Sequence, residues 1–150
     1  MGSIGKLMTA ALNSIDELAD NFELLGDWES RFGYLIDLGK ELPSMDEADK
    51  CDANRVHGCQ AQVWMKFVPG DNGRIDIVAD SDAFIVRGLI SVLLMIYSGS
   101  TAEEILNTDG LAALERLQLA AHLSPTRKNG LYAMVQRVRE LAGAEINNQP

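Results

Sequence analysis

Between Cys59 and Asp80 apolar residues recur at every second position, and on both sides of that stretch they recur at every third or fourth. A side-chain period of two belongs to a strand with one buried face, and a period near 3.6 belongs to an amphipathic helix. The order is therefore helices, then strands, then helices. Cys59, Ala61, Val63, Met65 and Phe67 share one parity, against Gln60, Gln62, Trp64 and Lys66 on the other. Pro69-Gly70-Asp71-Asn72-Gly73 is a dense turn signal, and Ile75, Ile77 and Ala79 then alternate with Arg74, Asp76 and Asp80. Two strands joined this way form an antiparallel hairpin. The predicted class is α+β, with a small antiparallel sheet covered on one face by helices.

The flanking helices follow from spacing. Met8, Ala11, Ile15, Leu18, Phe22 and Leu25 mark one helix, ended by Gly26. Asp27 can cap a second, carrying Trp28, Phe32, Leu35, Ile36 and Leu42 and stopped by Pro43. Residues 43–55 are polar, acidic and aperiodic, and read as a loop. After the hairpin, Ser81 and Asp82 can cap a helix over residues 83–97 that is apolar nearly all round, hence buried on most sides. Thr101 with Glu104 is a capping-box pair opening a short helix to Asn107. Leu111, Leu114 and Leu117 suggest another. Ser124-Pro125 opens a last helix whose buried face is Leu131, Met134, Val135, Val138, Leu141 and Ala142, with a tail from Asn147 expected to fray.

Charge and cysteine usage exclude several function classes. The chain carries 22 acidic and 13 basic side chains, a net charge of −9. Such a chain repels phosphate backbones, so nucleic acid is not an expected partner. Most of the excess lies in residues 1–52, with twelve acids against four bases. Two cysteines make neither a disulfide scaffold nor a four-thiolate zinc site. Met1 to Lys6 lack the order of a secretion signal, and the longest apolar run, Leu89 to Tyr97, is too short to span a bilayer. A cytoplasmic protein with reduced thiols and no membrane partner is expected. No GxGxxG, P-loop, HExxH or GxSxG is present, and nothing implies a nucleotide cofactor.

The stretch that could carry chemistry is Arg55-Val56-His57-Gly58-Cys59-Gln60-Ala61-Gln62-Val63-Trp64. Gly58 allows a tight turn just before Cys59. The parity of Cys59 points its thiol at an apolar pocket, where it is either a small core residue or a reactive thiol. His57 would activate Cys59 if both shared a strand face, but the turn at Gly58 breaks that relation and leaves a surface histidine as the other reading. Cys51 sits in the acidic loop and reads as a free thiol; together with Cys59 it could also form a reversible disulfide or half a metal site. Arg127 falls about three residues into the last helix, where a cation opposes the helix dipole. It belongs either to a solvated basic face or to a site holding an anionic sulfur species or an acidic partner. Asp82 is most simply a helix cap.

That signature resembles the SufE family of sulfur acceptors. The likeness continues through Leu38-Gly39-Lys40-Glu41-Leu42-Pro43, Gly73-Arg74-Ile75, Ala79-Asp80-Ser81-Asp82-Ala83, Ile85-Val86-Arg87-Gly88-Leu89 and His122-Leu123-Ser124-Pro125-Thr126-Arg127. It spans roughly Leu24 to Ala142 in the family's order and spacing. The resemblance implies one SufE-like domain over residues 1–150, with a fold similar to the IscU scaffold. It implies a sulfur carrier rather than a stand-alone enzyme. Such a protein takes sulfane sulfur from the persulfide of a SufS-like, PLP-dependent cysteine desulfurase and stimulates that enzyme. It then relays the sulfur to an iron–sulfur scaffold complex, and it holds no cofactor itself. The family's acceptor cysteine maps onto Cys59, and features near it map onto Trp64, Asp82 and Arg127. His57 occupies a variable position, so no general-base role carries over, and Cys51 lies outside the signature.

Two other classes stand beside this one. A metal or iron–sulfur cluster scaffold of IscU-like fold would draw ligands from Cys51, His57, Cys59 and a loop carboxylate. Scaffolds of that fold use three separated cysteines, and this chain has two. A cysteine-nucleophile hydrolase would need a base and an oxyanion site, for which His57 is the one hint.

Overall fold

A computed structural model describes residues 15–148. The first helix, α1 (Ile15–Leu25), buries Leu18 and Phe22; Met8 and Ala11, expected on the same face, lie outside the described residues. Asp27 caps α2 (Trp28–Glu41), its carboxylate accepting from the Ser30 amide at 2.7 Å. Residues 43–55 are a loop, as expected, that contains two single 3-10 turns at Glu47–Asp49 and Asp52–Asn54.

The hairpin forms with β1 (Val63–Pro69) antiparallel to β2 (Arg74–Ser81), Val63 opposite Ser81 and Pro69 opposite Ile75. Asn72 and Gly73 take left-handed φ values of 60° and 75° to close the turn. A short β3 (Ser100–Thr101) adds beside β2, giving the order β1-β2-β3. Val63, Met65, Ile75, Ile77 and Ala79 are buried on one face. Asp80 is the exception on the other face. It is 1% exposed because the loop after α2 closes over it.

The strand expected from Cys59 starts only at Val63. The ladder stops where its partner stops: beyond Ser81, the Asp82 carboxylate accepts from the Gln62 amide at 3.1 Å, and the Asp82 amide donates to the Gln62 carbonyl at 3.3 Å. Asp82 is thus not the helix cap. The helix α3 (Phe84–Tyr97) has Ala83 at its N-cap with no side-chain cap, and Ser81 Oγ accepts from the Ala83 amide.

Helix α3 buries Val86, Leu89, Ile90, Val92, Leu93 and Tyr97 and packs along α2. The two helices approach closely where each has a glycine. A Cβ on Gly88 would overlap the Leu35 carbonyl, and one on Gly39 would overlap the carbonyl of Phe84. Removing both side chains lets Arg87 pass between the helices. Its Nε donates to the Gly39 carbonyl at 2.8 Å, and its guanidinium also reaches the Leu42 carbonyl and the Asp80 carboxylate.

Next comes α4 (Ala102–Asn107), opened by the expected capping box of Thr101 and Glu104. The leucine repeat at residues 111–117 gives α5 (Gly110–Arg116), with Leu114 and Leu117 buried but Leu111 half exposed. A further turn, α6 (Leu119–His122), has no counterpart in the sequence reading. Gln118, at φ 59°, separates it from α5 in a conformation that glutamine does not signal in sequence. The last helix, α7 (Pro125–Asn147), has Ser124 as N-cap and Pro125 in its first turn. It buries Leu131, Met134, Val135, Val138 and Ala142, with Leu141 partly buried. The helix includes Asn147, the residue from which fraying is expected; Gln149 and Pro150 lie outside the described residues.

Candidate functional site

The segment between Val56 and Val63 is a small closed excursion. The Val56 amide donates to the Val63 carbonyl at 2.8 Å, and Arg55 bridges to Trp64 on the free edge of β1. These bonds pin the ends of residues 57–62 together, and Val56 is buried as an anchor. Gly58 turns the chain at φ 95°, a conformation that disfavours any side chain. Cys59 follows within the excursion.

The loop folds back onto the first turns of α7. The Cys59 thiol donates to the Gly130 carbonyl at 3.4 Å. Beside it lies a cavity of about 40 Å³. Val86, Leu89, Leu131 and Met134 form its apolar walls, and Thr126 and Arg127 stand at its polar side. Cys59 itself is half-buried against the core. Burial pushes its thiol above the ordinary value, while the positive charges of Arg127 and then Arg55 pull it back. The free protein therefore holds a half-buried, protonated thiol beside a small, mostly apolar cavity, with two cations near enough to favour the anion. Partial burial shields such a group, and relief of that desolvation would raise its nucleophilicity.

The other residues singled out in sequence fall into separate places. Arg127 lines the Cys59 cavity, as a cation in the first turn of α7. His57 is exposed and lines a different cavity of about 320 Å³, with Arg55, Ala133 and Arg137. Trp64 does not line the Cys59 cavity; its ring lies 5.5 Å from the Lys50 ammonium. Asp82 is spent on the Gln62 amide and so fixes the far end of the Cys59 loop. Cys51 is exposed at the start of a 3-10 turn. Among the described residues no three His, Cys, Asp or Glu side chains come together as a metal-holding group, so Cys51, His57 and Cys59 do not assemble the ligand set of a scaffold. Among the same residues no helix is long and apolar enough to cross a membrane.

Two contributors escape a reading of the sequence. Gly130 offers its carbonyl and its missing side chain to the thiol; a Cβ there would sit 3.5 Å from Sγ. A glycine inside a helical pattern is its one signal. Arg55 belongs to the signature, but its charge on Cys59 depends on the loop closing back to β1, which spacing does not reveal.

Comparison with known proteins finds relatives over most of the chain. Residues 16–142 match the family model SufE, described as an Fe-S metabolism associated domain. An uncharacterized SufE-like protein of Rhizobium meliloti is 40% identical over 138 residues, covering 90% of this chain and 99% of the relative. A second, from Rhizobium etli, is 43% identical over 132 residues, covering 86% and 89%. Among solved structures, the solution structure of a hypothetical protein from Thermus thermophilus superposes with a TM-score of 0.68 at 19% identity, covering 87% of this chain and 96% of that one. At that identity the likeness concerns the fold.

Proposed function

The chain belongs to the SufE family, which ties it to iron–sulfur metabolism, and from that premise we propose that it is a sulfur acceptor working through Cys59. A SufS-like, PLP-dependent cysteine desulfurase donates the sulfur, and an iron–sulfur scaffold complex receives it. The observation that carries this reading is the Cys59 thiol, held on a pinned loop over a small apolar cavity with Arg127 at its edge.

The transfer balances without a redox partner. Cys59 loses its proton to solvent as the loop leaves the cavity, and its thiolate attacks the outer sulfur of the donor persulfide. The new S–S bond forms on Cys59 as the donor's S–S bond breaks and the donor cysteine leaves as thiolate. Arg127 and Arg55 stabilise the attacking thiolate and then the persulfide anion. Return of the loop would shelter the product from reductants. A thiol half-buried when idle becomes fully accessible when the loop moves on docking, which makes the partner's surface the trigger.

The test is intact mass after mixing reduced protein with a cysteine desulfurase and cysteine, followed by peptide mapping. The expected gain is one sulfur atom on Cys59, abolished in Cys59→Ser and kept in Cys51→Ser. No gain with a competent desulfurase, or full stimulation of that enzyme by the Cys59→Ser protein, overturns the reading.

A further inference from the structure

The loop that carries Cys59 lies along one stripe of α7. Its thiol meets the Gly130 carbonyl, and three residues further on a Cβ at Gly58 would come within 3.2 Å of the Ala133 side chain. Past that contact a cavity of about 320 Å³ lies between the loop and the helix. Asp52, Arg55 and His57 line it from the stem of the loop, and Gln136, Arg137 and Glu140 line it from α7. Positions 133, 136, 137 and 140 recur at three and four, so they share one face of the helix. The cavity has no lining residue in common with the one beside the thiol.

Its cations are poorly matched within the protein. Arg55 is half-buried, yet its side chain makes no ion pair and no hydrogen bond among the described residues. A guanidinium drawn partly out of water without a counter-ion loses hydration that an anion would replace. Arg137 has Glu140 beside it, but at 3.6 Å that pair is longer than a hydrogen bond, and Glu140 is 53% exposed. The Nε of Arg137 is buried without a partner, so its terminal nitrogens are the ones a ligand meets. His57 is exposed, makes no side-chain bond among the described residues, and adds a ring donor. The opposing carboxylates, Asp52 and Glu140, both belong to exposed residues and stay solvated when an anion enters.

We propose that this cavity binds a tetrahedral oxyanion of the phosphate or sulfate class, bridging Arg55 on the loop to Arg137 on α7, with His57 as a third donor. A tetrahedral anion presents oxygens in several directions and meets donors on both walls at once. A carboxylate presents two in one plane, and Glu140 already offers one at the cavity edge. The bridge acts on Cys59 in two ways. Lifting the loop carries Arg55 and His57 away from Arg137 and splits the site, so the anion favours the closed loop. The anion also offsets the positive charge through which Arg55 favours the Cys59 thiolate. Both effects quiet the thiol. Restraint of sulfur transfer by the anion rests on the sulfur-acceptor reading, whereas binding and shielding of the thiol do not.

The test therefore uses the full chain without a desulfurase. Sodium phosphate is titrated at fixed pH, with ionic strength held constant by chloride, and alkylation of Cys59 by iodoacetamide is followed by peptide mapping. At about ten times its dissociation constant, a ligand of the closed loop lowers the opened fraction about tenfold, so Cys59 should react roughly three- to tenfold more slowly. Sulfate should act as phosphate does, and acetate should do much less. Amide shifts should centre on residues 52–57 and 133–140. Arg55→Gln and Arg137→Gln should each bring the ratio of rates with and without phosphate close to one, which a packing role for either arginine would not produce. Glu140→Gln should tighten phosphate binding several-fold, because it removes the carboxylate that competes for Arg137. The proposal is overturned if phosphate leaves the wild-type rate unchanged, if acetate slows it equally, or if both arginine variants respond as the wild type does. Sulfur transfer to Cys59 is measured on the same samples, and its success or failure bears on the sulfur reading alone.

Discussion

The Cys59 thiol and the Gly130 carbonyl stand 3.4 Å apart across 71 residues of chain, with the sulfur as donor. A thiol that donates a hydrogen bond to a carbonyl while half-buried against apolar walls resists ionisation. The cost of burying the thiolate outweighs the attraction of Arg127 and Arg55, so the folded value lies above that of an unperturbed thiol, 9.0. Alkylation of Cys59 by iodoacetamide should therefore be slower than that of exposed Cys51 near neutral pH, and should rise only in alkaline solution. The linkage has a definite sign. The unfolded chain releases this proton first, so the contribution to stability is complete below about pH 9.0 and is lost as pH rises through the folded value. Cys59→Ser should flatten the alkaline limb of a stability–pH profile. An unchanged limb, or equal alkylation rates for the two cysteines, would contradict the protonated, sheltered thiol.

Gly130→Ala separates fold from function. A Cβ at this position would meet Sγ at 3.5 Å, which is ordinary contact and not overlap. Replacing glycine inside a helix by alanine gains up to about 1 kcal/mol. Yet the methyl group enters the cavity of about 40 Å³ that the outer sulfur would occupy. That space has room for an added heavy atom, since on the same measure one water needs only about 10–15 Å³. The wild type should thus hold one added sulfur and shelter it from mild reductant. The alanine variant should melt higher and lose its persulfide faster to dithiothreitol, read by intact mass over time. Equal persulfide lifetimes would mean that the cavity does not house the outer sulfur.

Arg127 should show the same division with a different cause. It sits in the first turn of α7, where a cation faces the positive end of the helix dipole at a cost of about 0.3–1 kcal/mol. Arg127→Ala should accordingly be neutral or slightly stabilising to urea. It also removes the stronger of the two positive charges acting on Cys59. The alkaline onset of alkylation should move further up, and sulfur acceptance should slow roughly three- to tenfold, as expected for loss of about 1 kcal/mol of charge stabilisation. A fall in stability with unchanged transfer would assign Arg127 to packing instead.

How far the site was legible depends on whether its parts are local. The change of hydrophobic period placed the hairpin, and capping chemistry at Asp27, Thr101 and Ser124 set three helix starts, because each of those effects acts over a few residues. The parity of Cys59 gave the correct inward direction although the strand starts only at Val63. The roles of Asp82, Gly130 and Arg55 were hidden: Asp82 acts on Gln62 and Gly130 on Cys59 across a distance in sequence, and Arg55, though only about four residues from Cys59, is positioned by the loop closing back onto β1. Asp82 carried a plausible local role as a cap and took a tertiary one. Gln118 in its left-handed turn broke a leucine repeat that spacing alone would continue.

The clearest nonlocal feature is the ion pair of Arg87 and Asp80. Asp80 is 1% exposed, and its second oxygen accepts from the Met45 amide at 2.9 Å with Lys50 3.7 Å away. Arg87 holds Asp80 together with the carbonyls of Gly39 and Leu42. One guanidinium therefore ties α2, α3, β2 and the loop that follows α2. Arg87→Met keeps the length and apolar stem but strands a carboxylate and two carbonyls away from water. Breaking such a pair from one side costs about 3–5 kcal/mol, a large share of the roughly 5–15 kcal/mol that holds a domain folded. Urea unfolding should show that loss for Arg87→Met. The double variant Arg87→Met, Asp80→Leu should recover part of it, because the stranded charge is gone. Protease cleavage within residues 43–50 should rise in the single variant before global unfolding, since Met45 is tied to the sheet through Asp80. A loss below about 1 kcal/mol in Arg87→Met, well under the usual cost of stranding a buried charge, would show that Lys50 and the Met45 amide suffice for Asp80.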